Sequence, residues 1–331
     1  GENAMADLTT TYMGLELRNP IIIASSPLTS SIENLIKCEE AGAAAVVLKS
    51  IFEEKIKADV LKDSTMNGDY LQHSDYADVY GHISQEYYIN QYLEFLVEAK
   101  KKLSIPVIAS INCSHVDSWK EYAKRFEAAG ADGLELNYYP IASDASVSGD
   151  KVDKAALAFA KEARKATKLP VSIKIGCNYS SLANIIRGFE KEDIDGLVLF
   201  NRFYRPDIDI EKEEISSVAG LSTKNEYSES LRWIALMSAE LPKIDFVAST
   251  GVHDGQTMVK MLLAGAKAVE VCSIVMKEGY EVVEKMLVTL GQWMEKKGYN
   301  SINDFCAKLA QEKIADGARW ERTQYMVSIN R

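Results

Sequence analysis

IDFVASTGVHDGQTMVKMLLAGAKAVEVCS, residues 244–273, decides the fold. It reads as strand, small-residue turn, helix, Gly stop and second strand. The strand ends fall at Ser249-Thr250-Gly251 and at Cys272-Ser273. In a parallel α/β protein, backbone N–H groups of two successive strand-to-helix turns converge on one point and make it a site for a dianion.

The same unit repeats toward the N-terminus. Short apolar runs occur at Pro20–Ser25, Ala45–Ser50, Pro106–Asn112, Gly133–Asn137, Pro170–Ile175 and Gly196–Phe200, and then at Asp245–Thr250 and Ala268–Cys272. They are rich in β-branched residues and Leu, as strands covered on both faces require. Between them Ser118–Ala129, Lys154–Thr167, Ser180–Glu190, Ser228–Leu241 and Gln256–Ala264 carry apolar residues at helical spacing. Gly42, Gly130 and Gly265 end helices, since only glycine takes the left-handed C′ conformation without cost. Eight alternating units predict a closed all-parallel (β/α)8 TIM barrel.

The chain has 331 residues, enough for such a barrel with insertions. A net charge of −10 argues against nucleic acid and acidic membranes as partners. No apolar run reaches the ~18 residues that a membrane helix needs. Five scattered cysteines without CxxC, and four histidines without HxxxH, suit reduced cytosolic thiols and no metal site. Gly1–Ala4 ahead of Met5 reads as an expression scar, leaving 5–331 as one cytoplasmic domain. Its rhythm breaks at about 52–103, opening with the Gly-, Asp- and Tyr-rich NGDYLQHSDYADVYGHISQEYY, and at 201–228. Both insertions follow a strand's C-terminal end, where barrel active sites are built, so both are expected as lids or binding loops. The 279–331 region is read as a closing helix and tail.

Lys49 ends the run Val46-Val47-Leu48, and Lys174 sits inside Val171–Ile175. A lysine in an apolar strand must lose its charge, snorkel, or find an anion. Asn112, Asn137 and Asn201 each close a strand with an amide that donates and accepts. A strand-end Asn is often only a turn former, but three on one rim favour recognition of a planar amide-bearing ring. Such groups suit a flavin: Lys174 would offset the charge on the reduced ring's N1–C2 edge. Ala24-Ser25-Ser26 is small enough for close approach to the ring.

In these motifs the chain resembles the dihydroorotate dehydrogenase family, soluble class 1, over nearly its whole length. The resemblance rests on Asn19-Pro20, Ala24-Ser25-Ser26, Val47-Leu48-Lys49-Ser50 and Ser110-Ile111-Asn112. It continues through Leu134-Glu135-Leu136-Asn137, Ile173-Lys174, Phe200-Asn201, Ser249-Thr250-Gly251-Val252 and Lys277-Glu278-Gly279. The stretch 197–209 resembles a subgroup described only as dihydroorotate dehydrogenase-like. The resemblance implies FMN as cofactor, oxidation of dihydroorotate to orotate in pyrimidine biosynthesis, and a homodimer. It implies phosphate on Thr250-Gly251 and Cys272-Ser273, and the ring near Ala24, Ser25, Ser26, Lys49, Ser50, Asn112, Asn137 and Lys174. Substrate would meet Lys49, Asn137, Asn201 and Arg202.

Departures fall at the substrate-specifying residues. Where the family runs x-Ser-Cys-Pro-Asn after its strand-four Asn, the chain reads Asn137-Tyr138-Tyr139-Pro140, without the Cys base. The family's Asn-x-Met-Gly-x-x-Asn loop is replaced by a segment containing Tyr80-Gly81-His82. Tyr139 is therefore the first candidate for proton transfer and His82 the second, with Lys49 beside the reacting ring. Arg202 and Arg205 would either take a carboxylate or pair with Asp207 and Asp209. Two alternatives stay open: an aldolase-like barrel with Lys49 or Lys174 as Schiff-base lysine and a phosphorylated substrate, and a non-catalytic flavin-binding barrel.

Overall fold

The computed structural model describes residues 6–52, 74–112, 116–202, 205–217 and 220–321. Two short strands, β1 (Thr10–Tyr12) and β2 (Leu15–Leu17), form an antiparallel hairpin ahead of the barrel. Then come β3 (Ile21–Ile23), α1 (Ile32–Glu40), β4 (Ala45–Val47), β5 (Ile51–Phe52), α2 (Ser74–Lys102), β6 (Val107–Asn112), α3 (Val116–Ala128) and β7 (Gly133–Tyr138). The series continues with α4 (Gly149–Ala166), β8 (Val171–Ile175), α5 (Leu182–Lys191) and β9 (Gly196–Leu199). After the hairpin β10 (Pro206–Asp209) and β11 (Glu214–Ser217) it resumes with α6 (Tyr227–Met237), β12 (Asp245–Ser249), α7 (Gly255–Ala264), β13 (Ala268–Val271), α8 (Ser273–Glu278) and α9 (Glu281–Lys297).

Strands β3, β4, β6, β7, β8, β9, β12 and β13 pair in parallel in that order, and β13 pairs back to β3, closing the expected eight-stranded barrel. Side chains alternate across its wall. Ile21, Val46, Val107, Leu134, Ile173, Leu197, Phe246 and Val269 face outward into the shell beneath the helices. Ile22, Ala45, Val47, Ile108, Val198, Val247 and Ala268 fill the lumen, where the hairpin residues Tyr12, Met13 and Leu17 plug the lower end. Each fully buried aliphatic side chain contributes about 1.5–3 kcal/mol, so this two-sided burial carries the fold. Gly196 has no side chain because a Cβ there would lie 2.8 Å from the Tyr12 ring. Gly42, Gly130 and Gly265 take the expected left-handed conformation, with φ of 107°, 91° and 118°.

The first insertion differs from expectation. Much of the segment read as loop is the helix α2, whose Ile89, Tyr92, Leu96 and Ala99 are buried at helical spacing, with the buried Leu103 just past its end. This helix repairs a defect in the barrel. Strand β4 runs out at Val47, and pairing with β6 resumes only at Ile51. Ser110, on the facing edge of β6, instead finds the Tyr92 hydroxyl, which accepts from its N–H at 3.0 Å and donates to its carbonyl at 3.3 Å. The break turns Lys49 outward and Ser50 inward. The second insertion carries the β10–β11 hairpin. In the C-terminal region only α9 is a long helix among the described residues, and short 3-10 turns follow it.

Tyr92→Phe would leave the buried Ser110 N–H without its acceptor, which costs about 1–3 kcal/mol. Thermal or denaturant unfolding should show that loss, and an unchanged midpoint would show that the ladder does not depend on this hydroxyl.

Candidate functional site

All but one of the eight barrel strands bring residues at their C-terminal ends, or just beyond, to a cavity of about 250 Å³. Of the residues singled out in the sequence, Ala24, Ser25, Ser50, Asn137, Tyr139, Lys174, Asn201, Arg202, Thr250, Gly251, Cys272 and Ser273 line it.

One side is a chain of small polar groups. Ser25 Oγ lies 3.0 Å from Ser50 Oγ, which lies 2.6 Å from Ser110 Oγ. The Asn137 amide donates to both Ser50 Oγ (2.9 Å) and Ser110 Oγ (3.2 Å), while Asn201 donates to Asn137 Oδ1 at 3.1 Å. These bonds fix the orientation of Asn137. Asn112 stands one step back, its amide donating to the Tyr139 hydroxyl at 3.1 Å.

The floor is charged. Lys174 Nζ lies 2.8 Å from Glu270 Oε2 in a pair almost sealed from solvent. Burial opposes the ammonium, but the facing carboxyl groups, Glu270 foremost and then Glu135, outweigh it and hold Lys174 above the ordinary lysine pKa. Breaking a buried pair of this kind costs roughly 3–5 kcal/mol.

The far end is built by the two turns read first in the sequence. Thr250 and Gly251 have φ of 76° and 82°. The Thr250 hydroxyl donates to the Phe200 carbonyl at 3.1 Å. Ser273 Oγ accepts from the Ser222 N–H at 2.9 Å, and Lys277 Nζ donates to the Ser222 carbonyl at 2.7 Å. Ser222 Oγ lies 2.8 Å from His253 Nε2. Burial, then the ammoniums of Lys277 and Lys224, push His253 below its ordinary pKa, leaving a neutral imidazole at neutral pH. The Thr250-Gly251 turn, the Ser222 and Ser273 hydroxyls and the His253 imidazole thus line one end, while the Lys174 ammonium underlies the other.

Several expectations need correction. Lys49 is exposed and absent from the cavity wall, because the chain leaves β4 before reaching it. Ser26 caps the turn Pro27–Thr29, its hydroxyl accepting from the Leu28 N–H at 3.2 Å. His82 falls on α2, its side chain outside the described residues. Arg202 and Arg205 pair neither with Asp207 nor with Asp209. Both reach Glu226 Oε1, at 3.0 and 2.6 Å, and Arg202 also donates to the Gly220 carbonyl. The Thr223–Glu226 capping box brings that carboxylate to the mouth. Ser222, His253 and Glu270 also line the cavity and were not singled out. Glu270 carried the signal already used for Lys174, a charge inside an apolar strand.

The family model for dihydroorotate dehydrogenase matches residues 79–294. The chain belongs to the dihydroorotate dehydrogenase family. It is 24% identical to the NAD-dependent dihydropyrimidine dehydrogenase subunit PreA of Escherichia coli (strain K12), over 96% of this chain and 80% of that one. It is 26% identical to the dihydroorotate dehydrogenase B (NAD(+)) catalytic subunit of Thermoplasma acidophilum, over 91% and 98%. The corresponding Pyrococcus furiosus subunit is 27% identical over 90% and 97%. Membership makes the chain a dehydrogenase-family oxidoreductase and overturns the aldolase alternative. The charge state agrees: a Schiff-base lysine needs a lowered pKa, and that of Lys174 is raised. No helix among the described residues is long and apolar enough to cross a membrane.

Gly251 should tolerate no side chain. A Cβ there would sit 2.3 Å from the Tyr227 nitrogen, whereas at Gly279, also left-handed at 85°, it would meet nothing within 4 Å. Gly251→Ala should therefore cost about 1–3 kcal/mol more than Gly279→Ala, read from unfolding midpoints. Equal costs would mean that the turn is not held against α6.

Proposed function

We propose that this member of the family is an FMN-dependent oxidoreductase that moves a hydride between the flavin and a small planar ring of the dihydropyrimidine type, dihydroorotate included. The observation that carries the reading is the pairing of the Lys174 ammonium under one end of the cavity with the Thr250-Gly251 turn and the Ser222 and Ser273 hydroxyls at the other. That donor set matches a ring with an electron-rich edge joined to a phosphate. Thr250-Gly251, Ser273 and the His253–Ser222 pair would hold the phosphate, and Lys174 the ring edge, with Ser25, Ser50 and Asn137 along its polar side. FMN supplies the two-electron chemistry when bound.

The chain's own groups do the rest. Asn137 and Asn201, locked to each other, present amide hydrogen bonds to a ring stacked above the floor. Lys174 provides a fixed positive charge where negative charge develops, which is worth most in a site shielded from water. Tyr139 exchanges the proton that accompanies the hydride. In the reducing direction the phenol O–H bond breaks and its proton goes to the carbon beside the one that receives the hydride. Asn112 orients that hydroxyl. Engagement of Arg202 and Arg205 by Glu226 favours an uncharged ring over a carboxylate-bearing one among such substrates. NAD(+), named for the relatives, is one electron acceptor that the proposal includes, and a homodimer is the assembly it adopts.

Tyr139→Phe should lower turnover about 10²–10⁴-fold with flavin binding unchanged, measured by anaerobic stopped-flow with dihydroorotate and with 5,6-dihydropyrimidines lacking the carboxylate. Wild-type flavin that none of these compounds bleaches would reject the substrate class. A Tyr139→Phe variant with full turnover would reject the proton-transfer role.

A further inference from the structure

Beneath Lys174 lies a second carboxyl that the proposed chemistry does not use. Glu135, from β7, is 1% exposed and Glu270, from β13, 2%. One Glu270 oxygen accepts from Lys174. Glu270 Oε1 and both Glu135 oxygens are buried without a donor, although the two carboxyl groups lie within hydrogen-bonding reach of each other. Other titratable groups among the described residues bear on them. Tyr12 lies on the hairpin plug and Tyr92 on α2, with Cys272 at the end of β13, while Asp245 on β12 bears on Tyr12. None supplies a second cation.

Two ionised carboxylates facing one ammonium would leave a net negative charge and three unsatisfied acceptors in a closed lumen, a costly arrangement. A single added proton removes the excess charge, turns Glu135 into a donor and satisfies Glu270 Oε1.

We propose that Glu135 is a neutral carboxylic acid that donates its proton to Glu270, and that this carboxyl pair is the positioning element that pins the Lys174 ammonium to the cavity floor. Burial, together with the facing Glu270 charge, pushes Glu135 well above the usual carboxylate range despite Lys174, which agrees with this geometry. With Glu135 neutral, the Glu270 charge has Lys174 as its ion partner. The ammonium then stays protonated and fixed for whatever negative edge rests above it. The assignment deepens the proposed function but does not need it, because the proton can be read without any cofactor.

Three measurements on the full chain decide it. First, the infrared spectrum of the cofactor-free protein at neutral pH should show a carboxylic-acid carbonyl band that disappears in Glu135→Gln. No band in the wild type, or a band that survives the substitution, overturns the proposal. Second, a neutral buried acid makes the folded state bind a proton that the unfolded state releases. Relative to Glu135→Gln, the wild type should therefore lose about tenfold in its folding equilibrium constant per pH unit, from about pH 4.3 up to the raised pKa. Parallel stability profiles overturn it.

Third, in the FMN-loaded protein Glu135→Gln should leave the flavin midpoint potential close to wild type, because one neutral group replaces another. A rise equivalent to about tenfold or more in the reduced-to-oxidised ratio would mean that an anion had been removed, and overturns the proposal. Failure of Glu135→Gln to fold overturns it as well, since the amide is isosteric with the neutral acid. If the first two results hold and no flavin binds, only the functional reading falls.

Discussion

A lysine ammonium inside a closed barrel persists only if an anion accompanies it, and the contact between Lys174 and Glu270 meets that requirement. The two residues lie on strands that do not neighbour one another, so the pair ties opposite parts of the wall together through the lumen. It divides the interior into two regimes. Below it, past the buried Glu135, the lumen turns apolar and is plugged by Tyr12 and Met13. Above it Ser50, Ser110, Asn137 and Ser249 keep the space small, polar and open. The cavity exists where apolar packing gives way to this charge.

The rim follows from the alternation of side chains. In each strand the outward residues pack against helices and cannot be spared, while the inward ones are free to vary in chemistry. A break in strand pairing, bridged by Tyr92, lets Ser50 turn into the cavity and join Ser110 and Asn137. Irregularity here is structural support for the site. The second insertion contributes in the same way: Ser222 and Glu226 reach back to the barrel, one to the Ser273 turn and the other to the arginines at the mouth.

Much of this was legible in the sequence. All eight barrel strands fell where the short apolar runs stood, because strands covered on both faces have no polar face to hide. The two turns at Thr250-Gly251 and Cys272-Ser273 do converge, and Lys174 is buried as its apolar flanks required. Lys49 has similar flanks on one side only, and strand propensity does not reveal where hydrogen-bond pairing ends. Arg202 and Arg205 found Glu226 rather than the nearer aspartates because the capping turn, not sequence distance, sets which carboxylate reaches the mouth. Glu135 and Glu270 could have been flagged by the rule applied to Lys174, but their mutual contact depends on a register across the barrel that a single sequence does not encode.

The central claim is that the Lys174 floor and the Ser273 turn hold one molecule between them. Its most direct measurement is the visible spectrum of the purified protein after incubation with FMN, followed by mass analysis of the chromophore released on denaturation, for the wild type and for Lys174→Met. The account predicts a yellow wild type that releases FMN in stoichiometric amount, and a folded variant that retains little. A colourless wild type, or a variant that binds the flavin as tightly, would contradict it.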